Sequence, residues 1–97
     1  MNILMKKFGD VLSSRQAGKE AYAAFAPTLA ELKSDEKLVI DFDGINSFSP
    51  SWGDEFLTPI QKQYSERLIL KNTANPSVAL TVATLGKLNG KQFPAVK

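Results

Sequence analysis

The chain has 97 residues, of which 43% are hydrophobic and 23% charged, and its formal net charge is +2. This length and composition predict a single globular domain, 1–97, with one hydrophobic core. Its 12 Lys and Arg residues are nearly balanced by 10 Asp and Glu residues. The basic residues are scattered and form no stripe for phosphate contacts, so we expect no nucleic-acid partner.

Cysteine and histidine are both absent from the sequence. Their absence excludes disulfides, thiol nucleophiles, Cys or His metal sites, and catalysis that uses a histidine base. No apolar stretch reaches the roughly 18 residues of a membrane span, and the apolar run at the N-terminus is too short for a signal peptide. We therefore expect a cytoplasmic protein that does not contact a membrane.

The first part of the chain predicts a strand followed by a helix. Residues 3–8 form a short apolar run typical of a strand, and residues 15–33 carry apolar residues at helical spacings of three and four. Ser13, followed three residues later by Gln16, has the form of a capping box for this helix. Pro27 interrupts the run and predicts a kink or two short helices.

A nearly unbroken apolar run predicts the central strand at residues 37–43. Such a run is typical of a parallel-sheet strand that is covered on both faces. Because the predicted sheet is small, one of its faces could still be less well covered.

Two more helices and one more strand are predicted after the central strand. Ser49 followed by Pro50 predicts the start of a helix that runs to about Tyr64. Residues 68–70 form a short buried strand, and Asn75 before Pro76 predicts the start of the last helix. The remaining tail, 91–97, is predicted to be flexible. The β-α-β-α-β-α order predicts a small two-layer α/β domain with a mostly parallel or mixed sheet and helices packed on it.

The segment after the central strand is the most promising functional region, because function in open α/β sheets lies where strands end and helices begin. Residues 45–55 combine turn-forming residues with several hydroxyl groups. Ser51 is either a helix cap or a phosphate acceptor at the helix N-terminus. Trp52 is either an anchor for a protein partner or, as its helical spacing with Phe56 favours, a core residue.

Two pairs of carboxylates have alternative interpretations. Asp54 and Glu55 are adjacent on a helix and point about 100° apart, which favours a structural or partner-facing role over acid–base catalysis. Asp41 and Asp43 share one face of a strand and could bind a cation, but an Asp at a strand end more often caps a turn. We assign no metal site and no catalytic residue.

Four short motifs occur in order over residues 12–85: Ser14-Arg15 followed by Ala17, Asp41 to Gly44, Ser51 to Glu55, and Asn75 to Val78. Together they resemble the STAS-like domain family of unknown function DUF4325, which is similar to bacterial anti-sigma-factor antagonists. The resemblance implies a STAS-like fold without catalytic activity or cofactor. In the antagonist branch, a Ser at the position of Ser51 is phosphorylated by a partner kinase, which switches binding off. Here Ser49 and Trp52 replace the Asp and Gly that usually flank this Ser.

The resemblance also implies the kind of partner. Members of this family often accompany histidine-kinase-like ATPase domains, so such an ATPase or an anti-sigma-type regulator is the expected partner. The family pattern suggests that Arg15 pairs with Asp54 or Glu55.

Our first hypothesis is therefore a non-enzymatic regulatory module of a bacterial cell that binds another protein. Its candidate contact residues are Ser14, Arg15, Ser47, Ser49, Trp52, Asp54 and Glu55, with Ser51 as the candidate phosphoacceptor. The alternative is a small-ligand or nucleotide sensor that uses the same loop.

Overall fold

The computed structural model describes residues 1–88, 90 and 95–96. Each of its three helices follows a strand and leads to another strand, which confirms the predicted α/β class. In chain order they are β1 (Asn2–Leu4), β2 (Val11–Leu12), α1 (Arg15–Leu29), β3 (Leu38–Asp41), β4 (Ser47–Phe48), α2 (Pro50–Tyr64), β5 (Leu68–Lys71), α3 (Pro76–Leu88) and β6 (Ala95–Val96).

The main sheet has four parallel strands in the order β1-β3-β5-β6, and β2 pairs in parallel with β4 beside it. Each crossover connects one strand to the next strand in this order, so all of them lead across the sheet in the same direction. Right-handed crossovers of this kind place all three helices on one face of the sheet. The central strand is therefore covered by helices on one face within the described residues. Of the two alternatives for this strand, the described residues therefore show the two-layer arrangement with one less well covered face, because every crossover leads in the same direction across the sheet.

The core lies between the main sheet and the helices. Side chains that alternate toward the helices are fully buried, including Leu38 and Ile40 of β3 and Leu68 and Leu70 of β5. Burying a side chain of this size contributes about 1.5–3 kcal/mol. Aromatic rings fill the space beneath α1 and α2: Phe8, Phe25, Trp52 and Phe56.

The helices α1 and α2 are in close backbone contact at Gly18. A Cβ atom on Gly18 would lie 2.5 Å from the carbonyl oxygen of Trp52 and 2.9 Å from its Cα. Only glycine permits this approach, since both neighbouring atoms belong to the backbone. The close crossing brings Arg15, three residues before Gly18, beside α2.

The first helix differs from its prediction at both ends. Its cap is Ser14, whose Oγ accepts a hydrogen bond from the Ala17 N–H at 3.0 Å, so the capping box predicted at Ser13 is wrong. The helix runs continuously through Pro27 and ends at Leu29, rather than dividing in two or continuing to residue 33. Pro27 lies in the last turn, where the loss of its backbone donor affects one hydrogen bond near the end of the helix and does not split it.

The strand predicted at residues 3–8 is shorter in the structure. After β1 the chain turns into one 3₁₀ turn, Met5–Phe8, which places Met5 in the core and leaves Phe8 against the aromatic rings. The tail predicted to be flexible, 91–97, lies outside the described residues except for Ala95–Val96, which pair with β5.

Candidate functional site

Hydrogen bonds tie the starts of α1 and α2 together. Ser49 caps α2, as predicted: its Oγ accepts from the Trp52 N–H at 3.2 Å. The same hydroxyl donates to the carbonyl oxygen of Ser13 at 2.8 Å, directly before the α1 cap. The backbone N–H of Ser49 donates to the Leu12 carbonyl at 2.9 Å. Because the Ser49 side chain makes hydrogen bonds at the starts of both helices, their first turns form one connected surface.

The backbone before Ser49 is held from the other side by α3. The Phe48 N–H donates to Ser77 Oγ at 2.9 Å, and the Phe48 carbonyl accepts from the hydroxyls of Ser77 and Thr81. The Phe48 side chain is buried in the core. The loop that precedes α2 is thus fixed at its end by both backbone and side-chain contacts.

Asn75 braces the middle of the same loop. Its Oδ1 accepts from the Ser77 N–H at 2.8 Å, which caps α3 as the Asn-Pro pair predicted. Its Nδ2 donates to the Ile45 carbonyl at 3.2 Å. Farther along, the Asn46 side chain donates to Asp10 at 3.0 Å. The sequence pattern showed Asn75 only as a cap, because its second partner is distant along the chain.

Arg15 joins the two helices by ion pairs that span 39 and 40 residues of chain. Its Nη1 lies 3.1 Å from Asp54 Oδ2 and 2.6 Å from Glu55 Oε2. The pairing expected from the family pattern is therefore present, and with both carboxylates. Hydrogen bonds to Asp54 and then to Glu55 raise the pKa of Arg15 above its ordinary value. Thr58 Oγ1 donates to the other oxygen of Asp54 at 3.1 Å and orients it.

The ion pairs remain open to solvent. The side chains of Arg15, Asp54 and Glu55 are 54%, 39% and 27% exposed. Solvent screens pairs of this kind, so they add little to folding stability. Their main effect is to present one cation and two anions in a defined arrangement.

The other candidate residues occupy different positions relative to this surface. Ser47, Ser49 and Ser51 are half-buried. Ser51 is the second residue of α2 and does not cap it, because Ser49 already does. Trp52 is 2% exposed and packs against neighbouring aromatic rings, so its assignment as a partner contact is wrong and the core alternative is correct.

Asp41 organises the turn after the central strand. Its Oδ1 accepts from the Asp43 N–H at 2.9 Å and from Asn72 Nδ2 at 2.7 Å. Asn72 has a positive φ of 59°, which fits a tight turn after β5. Among residues 1–88, 90 and 95–96, no group of three or more acidic side chains gathers closely enough to hold a metal ion.

These observations define a small parallel α/β domain with a polar surface where two helices begin. The family model of the STAS-like domain of unknown function (DUF4325) matches residues 25–78. The match covers more than half of the chain, and the chain belongs to this family. The matched span contains β3, the following loop and α2, whereas Arg15 lies before it. No curated protein and no solved structure matches the chain. None of the helices described is both long and apolar enough to cross a membrane.

Proposed function

We propose that this domain is a non-enzymatic regulatory module that binds another protein. Its contact region is the surface formed by the starts of α1 and α2, which we call the two-helix surface: Ser14, Arg15, Ser47, Ser49, Ser51, Asp54 and Glu55. The observation that supports the proposal best is the exposed pairing of Arg15 with Asp54 and Glu55.

Two properties of the two-helix surface favour protein binding. It is held in place by the hydrogen bonds that the Ser49 side chain makes with Ser13 and Trp52. A surface that is already held in place loses less conformational entropy on binding. It also presents both signs of charge at fixed positions, which favours a partner with the complementary pattern and disfavours others. Both carboxylates are held by a guanidinium, an arrangement suited to recognition rather than to proton transfer.

The proposed partner is a histidine-kinase-like ATPase or an anti-sigma-type regulator. Membership of a STAS-like family supports this class of partner. Phosphorylation of Ser51 would add a dianion one residue into α2, less than one turn from Asp54. The phosphate would repel that carboxylate and attract Arg15, which would disturb the ion pairs of the two-helix surface. Such a change would give the kinase a means of switching binding off.

The test is to measure by calorimetry the affinity of the purified chain for a histidine-kinase-like ATPase or an anti-sigma-type regulator from the same organism. Arg15→Ala is expected to weaken binding about tenfold or more, because it leaves Asp54 and Glu55 without their cation. Lys19→Ala is the matched control, since Lys19 is an exposed cation one turn farther along α1. Unfolding curves should show that both variants are folded. Equal affinity of Arg15→Ala and the native chain would refute the proposed contact region.

The convergence of three helix starts favours a second candidate, a sensor of nucleotides or other small anions. Helix N-termini attract anions, and α1, α2 and α3 all begin beyond the carboxyl ends of parallel strands. The first turns are already capped by Ser14, Ser49 and Asn75, which leaves fewer backbone donors for a ligand. Thermal unfolding with added nucleotides distinguishes the candidates, because a ligand at 100 times its Kd adds ~2.7 kcal/mol of stability.

A further inference from the structure

One face of the main sheet carries no helix within the part of the chain that the structure describes. The buried side chains of β3 and β5 point toward the helices, as Leu38 and Leu68 illustrate. On the opposite face Leu4 is 56% exposed. Fully parallel sheets are almost always covered on both faces. This open face is therefore expected to have an occupant.

The open face has an ordered pattern of side chains. Strand alternation places six side chains on it: Asn2, Leu4 and Lys71 are exposed, and Val39, Asp41 and Ile69 are half-buried. Val39 is the register partner of Ile69, and Asp41 is the register partner of Lys71. On this face, β3 and β5 therefore each present an apolar residue followed by a charged residue, and the charge is negative on β3 and positive on β5.

This pattern is complementary to itself. We propose that the open face binds the open face of a second copy of this chain. A two-fold axis parallel to the strands, between β3 and β5, would place each β3 over the β5 of the other copy. Val39 would then face Ile69, and Asp41 would face Lys71, with each contact made twice. The sheets would stack about 10 Å apart with aligned strands, as in β-sandwiches.

Charge supports a second copy as the occupant. Asp41 and Lys71 are neighbours on adjacent strands, yet they form no ion pair with each other in the described structure. An amphipathic helix would leave both charges against an apolar stripe, whereas a second copy supplies the opposite charge to each. The proposal does not depend on the proposed function, because the open face and the two-helix surface are separate.

The size of the face sets the expected strength of the dimer. Three strands spaced about 4.8 Å apart, each about 13 Å long, cover on the order of 200 Å² in projection. A standard interface buries about 800 Å² on each partner. We therefore expect a weak dimer that forms only at high protein concentration.

Sedimentation equilibrium from about 10 μM to about 1 mM tests the proposal, and the native chain should approach the mass of two chains at the upper end. Lys71→Glu should raise the Kd about tenfold or more, because the introduced carboxylate would face Asp41 of the second copy. Lys62→Glu is the control: it makes the same charge change on an exposed position of α2, on the helix side.

A double variant tests the proposed two-fold axis. Adding Asp41→Asn to Lys71→Glu should restore part of the lost affinity, because it removes the repelling charge. Asn keeps the Oδ1 acceptor that Asp43 and Asn72 use. The proposal is overturned if the native chain stays monomeric at about 1 mM. It is also overturned if Lys62→Glu weakens association as much as Lys71→Glu, or if Asp41→Asn restores nothing.

Discussion

Replacing Gly18 with Ala should destabilise the domain, although alanine is the better helix former. The substitution gains about 1 kcal/mol of helix propensity in α1. Against this, the new Cβ would lie 2.5 Å from the Trp52 carbonyl oxygen and 2.9 Å from its Cα. Neither backbone atom can rotate away, so α1 and α2 must separate by about 1 Å to restore ordinary contact. Overpacking of this kind costs about 1–3 kcal/mol, and more where backbone must move.

Because the clash is with backbone, we place its cost at about 2–3 kcal/mol, in the upper part of this range. After the gain in propensity is subtracted, the net loss in the free energy of unfolding is about 1–2 kcal/mol, or roughly 4–16 °C in Tm for a domain of this size. Urea unfolding followed by the fluorescence of Trp52, the only tryptophan, reports the change directly. Separation of the helices should also move Arg15 away from Asp54 and Glu55. Partner binding should therefore weaken along with stability.

Two other variants separate the contributions to the Gly18→Ala result. Ala24→Gly, at an exposed position of the same helix, measures propensity alone and should cost about 1 kcal/mol. Gly53→Ala should cost less than Gly18→Ala, because its new Cβ would meet the ends of two side chains, Leu85 and Phe48, at 2.8 and 3.0 Å. A Gly18→Ala variant that is as stable as the native chain would refute the argument for the close crossing.

Two further predictions concern buried polar groups. Gln61 is 3% exposed, and its Nε2 and Oε1 have no hydrogen-bond partner among the residues described. Gln61→Leu should therefore raise the free energy of unfolding, measured by urea titration, by about 1–3 kcal/mol. The same change at the exposed Gln63 should not raise it. Ser77→Ala removes the acceptor of the Phe48 N–H and should cost about 1–3 kcal/mol, while Ser34→Ala, in an exposed turn, should leave stability unchanged.

Much of the architecture was predictable from local patterns. The apolar run of the central strand, the Ser49-Pro50 pair and the Asn75-Pro76 pair each marked an element that the structure contains. Strand alternation and cap chemistry depend on neighbours within a few residues, so they can be read from the chain directly. The core role of Trp52 was favoured for the same reason, by its spacing with Phe56.

The errors arose where a local pattern had two solutions. Ser13 and Ser14 are both good caps, and Ser14 is used because the Ser13 carbonyl accepts from Ser49. Ser51 also has the chemistry of a cap, but Ser49 occupies that role. A contact from a different element thus decided between the neighbours Ser13 and Ser14, whereas at Ser51 the local Ser49-Pro50 pair had already set the start of α2.

The sequence by itself determined the three helices and the strands β1, β3 and β5 in their order, because periodicity and caps are local properties; the two-residue strands β2, β4 and β6 are too short to show a periodicity. Tertiary structure alone decided which residues form a surface. Arg15 meets Asp54 and Glu55 only because Gly18 lets two helices cross closely. The open face of the sheet is likewise a product of topology, since every crossover moves in one direction. Contacts between residues tens of positions apart depend on how the elements pack, and no spacing along the chain encodes that packing.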